Sequence, residues 1–146
     1  MHLPWADELA VDVGTATVHV CVKNGGLVVR EPALVAFGEG QRRPVAFGLE
    51  ARRMMERAVE GVRVVQPIRE GVVADFDAAV AMLRHFLHMA LGKRPLLNPT
   101  VITARPTAAT PVEQRALLDA LHAAGAGRVF TVQKALAAAI GAGQPV

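Results

Sequence analysis

Asp12 closes an apolar run, Leu9-Ala10-Val11, and Gly14-Thr15-Ala16-Thr17 follows one residue later. A turn built from residues this small leaves backbone N–H groups uncovered. Such groups form a nest able to hold phosphate oxygens. A carboxylate at the end of a buried strand suits a hydrated Mg²⁺, which takes a carboxylate together with waters and phosphate. The chemistry on offer is therefore phosphate and metal binding. The alternative is an ordinary hairpin whose Asp caps its own turn, since short glycine motifs match often by chance.

The elements that must position this turn are strands. After it, Val18, Val20 and Val22 alternate with His19, Cys21 and Lys23, the period of a strand with one buried face. Asn24-Gly25-Gly26 marks a second hairpin turn. The strands expected for a mixed five-stranded sheet are Glu8–Asp12, Thr17–Lys23, Leu27–Phe37, Thr100–Ala104 and Val129–Val132. The third of these runs on past Pro32. Between Gly38 and Val65 a short strand at Val45-Ala46-Phe47, a helix over Leu49–Ala58 and a strand at Val62–Val65 suggest a small edge subdomain, about 38–66. That helix would turn Ala51, Met54 and Met55 inward.

Asp75 is the expected N-cap of a long helix. Its apolar positions are Phe76, Val80, Leu83, Leu87 and Leu91. His85 and His88 lie three apart on it, but no third ligand is near in sequence, and they read as surface or boundary histidines. Thr110-Pro111-Val112-Glu113 is a capping box with Pro at the first helical position. Val112, Ala116, Leu117, Ala120, Leu121 and Ala124 line one face of the helix that follows, and Gly125 stops it. A last helix, Ala135–Ala142, is made largely of small residues. Strand, helix, strand, helix in this half adds parallel strands to the antiparallel N-terminal set.

Composition agrees with one globular α/β domain. The chain has 146 residues, 52% of them apolar, long enough for a real core. Its single cysteine, Cys21, excludes an internal disulfide and fits a reducing compartment. No apolar stretch is long enough to cross a bilayer. Met1 to Glu8 has no basic segment leading into an apolar one, so no secretory leader is expected. The net charge of +3 is modest, and basic residues are scattered among five Phe and one Trp. That is no nucleic-acid footprint.

Asp12-Val-Gly-Thr-Ala-Thr17 resembles the first phosphate loop of the actin, sugar-kinase and chaperone ATPase superfamily. Arg30-Glu31-Pro32-Ala33-Leu34-Val35-Ala36, Pro67-Ile68-Arg69-Glu70-Gly71-Val72-Val73-Ala74-Asp75-Phe76 and Ala137-Ala138-Ala139-Ile140-Gly141-Ala142-Gly143 narrow this. In order and spacing they resemble the bacterial actin-like MreB family, rod shape-determining proteins. The resemblance runs from about Leu9 to Val146 and covers the first half of that family's protein.

The resemblance implies an actin-like ATPase (ribonuclease H-like) domain, with ATP and Mg²⁺ as cofactors. Gly14, Thr15, Ala16 and Thr17 would contact phosphate, and Asp12 would hold Mg²⁺ through water. Thr17 departs from the family's usual Asn. Lys134 departs further, for it takes the place of the carboxylate that orients the attacking water. A cation cannot accept a proton from water. The family's membrane-inserting loop falls at Leu96 and Leu97, beside Lys93 and Arg94. The expected function is thus a cell-shape module reduced to its first domain. It would be non-catalytic, would bind nucleotide weakly or not at all, and would associate with itself or with another actin-like or morphogenetic protein. Its expected place is cytoplasmic, with peripheral contact at the inner membrane face. The alternatives are a nucleotide-binding half-domain completed by a partner chain, or a sugar-kinase or chaperone-type ATPase fragment.

Overall fold

A computed structural model describes residues 7–92 and 98–146. Strands β1 (Glu8–Val13), β2 (Thr17–Val22) and β3 (Gly26–Pro32) form an antiparallel meander. Strands β9 (Thr100–Arg105) and β10 (Arg128–Gln133) join it in parallel, giving a five-stranded sheet of order β10-β9-β1-β2-β3. Leu9 pairs with Val22 and Val11 with Val20, the β1–β2 register that the alternation predicts. The hairpin between β2 and β3 turns at Asn24 and Gly26, both at positive φ.

The third predicted strand is not continuous. Leu27–Phe37 divides into β3 and β4 (Val35–Gly38), and β4 belongs to a separate three-stranded sheet with β5 (Pro44–Phe47) and β6 (Val62–Val65). The break lies at Pro32, which has no amide to donate. The Ala33 amide donates to the Ala16 carbonyl, and the Leu34 amide then turns back onto the Pro32 carbonyl. Helix α1 (Gly48–Glu56) packs on this smaller sheet through Ala51; Met54 is half-buried, and Met55 is exposed rather than inward. Phe47 offers no side-chain cap to α1, and the Glu31 carboxylate accepts the Leu49 amide in its stead at 2.7 Å. Gly48 lies at φ +58, where any Cβ would collide with that carboxylate.

Helices α2 (Phe76–Leu91) and α3 (Pro111–Ala124) cover one face of the main sheet. The Asp75 carboxylate accepts the Ala78 amide at 3.0 Å, and both halves of the Thr110–Glu113 capping box form. On α2 the buried positions are Ala78, Ala79, Met82, Leu83, Phe86 and Leu87. Of the expected stripe, Leu83 and Leu87 are buried and Val80 and Leu91 pack partly buried on the core, while Phe76 is 43% exposed, because the helix turns its Met82–Phe86 side to the sheet. Val112 is 79% exposed, since it sits at the helix start beyond the sheet's cover. The core joins Leu9, Val11, Val20, Val29 and Val101 to Phe86, Leu87, Leu117 and Leu121.

The opposite face is open. Register aligns Phe130, Ile102, Ala10 and Cys21 across four strands, with Leu27 next in the row. Phe130, Ile102 and Leu27 are about half exposed, so Thr100–Ala104 is buried on one side only. Helix α4 (Lys134–Gly141) has no buried residue. No helix among the described residues is long and apolar enough to cross a membrane.

Candidate functional site

The turn after β1 is closed by the Gly14 amide on the Thr17 carbonyl at 3.0 Å. A Cβ at Gly14 would stand 2.7 Å from that carbonyl oxygen, so the tight turn requires glycine. Among the described residues no acceptor pairs with the amides of Thr15 and Ala16. These are the uncovered N–H groups of the predicted nest, and Ala16 is exposed.

Two contacts hold the turn from outside. The Gln66 side-chain amide donates to the Thr15 carbonyl at 2.7 Å, and the Gly71 amide donates to Thr15 Oγ1 at 2.9 Å. Gly71 lies in a hairpin of β7 (Ile68–Arg69) and β8 (Val72–Val73) whose turn residues, Glu70 and Gly71, both have positive φ. The signal for this brace is Glu70-Gly71, a turn dipeptide between Ile68-Arg69 and Val72-Val73. The hydroxyl of Thr15 is thus an internal acceptor as well as a candidate phosphate contact.

Asp12 pairs in register with His19 and shares the open face with Ala10. Its Oδ2 lies 4.0 Å from His19 Nδ1. Lys134, the first residue of α4, reaches across the sheet and donates from Nζ to Asp12 Oδ1 at 3.0 Å. Both side chains are roughly half exposed. The structure therefore brings Lys134 into direct contact with the expected metal ligand.

The ammonium beside Asp12 makes these residues a poor fit for a Mg²⁺ ion. Asp12 is the carboxylate at the turn, and one of its oxygens already accepts from an ammonium. No group of three or more His, Cys, Asp or Glu among the described residues could hold a metal. His85 and His88 are both exposed, as surface or boundary histidines. His85 stacks on Phe47, with ring centroids 4.4 Å apart, and its pKa lies below the ordinary histidine value, chiefly because burial disfavours the charged ring. Lys93, Arg94, Leu96 and Leu97 lie outside the described residues.

Residues 6–146 match the family described as MreB/Mbl protein. The cell shape-determining protein Mbl of Bacillus subtilis is 36% identical, over 97% of this chain and 43% of its own. The cell shape-determining protein MreB of Escherichia coli K12 is 36% identical, over 97% of this chain and 42% of its own. The crystal structure of MreB5 of Spiroplasma citri bound to ADP superposes with a TM-score of 0.82 at 34% identity, over 95% of this chain and 41% of that one. The chain spans less than half the length of the curated relatives it matches. The fold is the actin-like α/β fold, with its mixed five-stranded sheet and flanking helices. The chain belongs to the MreB/Mbl family.

Proposed function

We propose that this chain is an MreB-like cell-shape protein whose first nucleotide loop does not support hydrolysis. It acts as an actin-like domain, with the region 38–66 as a small subdomain, in assemblies with further copies or with another actin-like chain. The observation that carries the reading is the Lys134–Asp12 contact of 3.0 Å. In one stroke it puts a cation where a water-orienting acid is expected and occupies the expected metal ligand. Gly14, Thr15, Ala16 and Thr17 retain a phosphate-binding role, supported by the open amides of Thr15 and Ala16. The relative solved with ADP lends nucleotide binding to the family, not turnover to this chain.

The test is phosphate release with Mg²⁺ and ATP. Release at background level supports the reading. Release above background that disappears in Asp12→Ala contradicts it.

The same open amides favour a second reading, a nucleotide-binding half-domain that a partner chain completes. Mixing with a full-length family member and measuring ADP retention distinguishes the two. The reading also includes a cytoplasmic location with peripheral membrane contact through Leu96 and Leu97, assisted by Lys93 and Arg94. Each basic residue near an anionic surface adds about 1 kcal/mol. Flotation with anionic liposomes, lost in Leu96→Ser/Leu97→Ser, supports that contact; equal flotation of both chains rejects it.

A further inference from the structure

We infer that Lys134 is a tethered cation that stands beside Asp12 in place of a divalent metal and keeps the phosphate loop metal-free. The inference rests on the assignment of Asp12–Thr17 as a phosphate loop, but it concerns metal and not turnover. Helix α4 begins poorly by itself. Its N-cap, Gln133, makes no side-chain cap, and no acid lies in its first turn. A lysine at the positive end of a helix is unfavourable unless an anion faces it. Asp12 is that anion, delivered from β1 through a hydrogen bond of 3.0 Å to Lys134 Nζ.

The arrangement compensates both partners. The carboxylate gains an ammonium and the start of a helix, and the helix start gains a carboxylate. A metal ion drawn to Asp12 would stand beside the ammonium held on Oδ1 and be repelled by it. His19 lies on the other side of Asp12, its Nδ1 4.0 Å from Oδ2. A phosphate-bearing ligand on the Thr15 and Ala16 amides would meet the Lys134 ammonium instead of a metal ion. The ligand chemistry that fits is an uncomplexed phosphate or nucleoside diphosphate.

The experiment is paramagnetic broadening by Mn²⁺ in amide NMR spectra of the full ¹⁵N-labelled chain. It compares native protein, Lys134→Ala, Lys134→Glu and Lys134→Glu/Asp12→Asn. The spectra themselves report whether each variant is folded. The amides of Val13 to Thr17 are expected to stay sharp in native protein and to broaden in Lys134→Ala. They should broaden most in Lys134→Glu and sharpen again in the double variant. Broadening of these amides in native protein as strong as in Lys134→Ala overturns the inference. So does an absence of broadening in all four chains, because Lys134 would then not be what keeps metal out. Turnover of ATP by a native chain that excludes Mn²⁺ would instead defeat the functional reading and leave this inference standing.

Discussion

The two faces of the main sheet differ more than their sequences suggest. On one, Val20, Val101, Phe86 and Leu121 are almost wholly excluded from solvent. On the other, Phe130, Ile102 and Leu27 are about half exposed, and α4 adds Leu136 at 40% and Ile140 at 57% without burying any residue. Both faces alternate apolar residues along the same strands. The difference is cover: α2 and α3 pack on the first face, while α4 lies against β9 and β10 and reaches β1 through the Lys134–Asp12 contact. Apolar character alone therefore does not mark core. An uncovered apolar row of this kind marks an association site or an aggregation liability.

Breaking the covered face should have the largest effect. Phe86→Ala removes a ring that is 1% exposed, and should cost about 3–5 kcal/mol in urea unfolding. A loss under about 1 kcal/mol would mean that α2 does not seal the core. The open face should respond in the opposite manner. Ile102→Ser and Phe130→Ser should each change stability by less than about 1 kcal/mol. Both should, however, lower the self-association of the 146-residue chain in light scattering. A native chain that stays monomeric at high concentration would remove the reason to treat this face as an assembly surface.

A smaller effect sharpens the boundary between the main sheet's helices and the smaller sheet. His85, stacked on Phe47, has its pKa lowered by burial. Its folded pKa lies below the unfolded value of 6.5, so the unfolded chain binds the extra proton first as pH falls. Stability should be level above pH 6.5 as far as this group is concerned. It should decline as pH drops from there through the folded pKa. In His85→Gln this part of the pH profile should flatten, and an unchanged profile would assign the decline to other groups.

How much could be read from sequence follows from where each signal is local. The β1–β2 alternation, the Asn24-Gly25-Gly26 turn, the Asp75 cap and the Thr110–Glu113 capping box are local patterns, and each forms as expected. The break after Pro32 was missed because Val35-Ala36-Phe37 has the strand character to continue β3. Only the tertiary pairing of β4 with β5 and β6 diverts it. The α2 stripe holds at Leu83 and Leu87 and in part at Val80 and Leu91; it fails at Phe76, because Ala79, Met82 and Phe86 follow a helical spacing of their own and share the buried side.

At the candidate site, the tight turn of Gly14–Thr17 after Asp12 was legible from residue type and spacing. The brace from Gln66 and Gly71 was not, since those contacts cross 51 and 56 residues. The Lys134–Asp12 pair spans 122 residues. Sequence could name both partners but could not show that they meet. The role of Glu31 as the cap of α1 was similarly hidden inside the Arg30–Ala36 motif.

The central claim is that Lys134 and Asp12 close this loop to Mg²⁺-nucleotide, and calorimetric titration of ATP in excess Mg²⁺ tests it most directly. For the native chain the account predicts a dissociation constant weaker than about 1 mM, a binding free energy of no more than about 4 kcal/mol in magnitude. Removal of Mg²⁺ by EDTA should leave it no weaker. Micromolar binding that requires Mg²⁺ and is lost in Asp12→Ala would contradict the account.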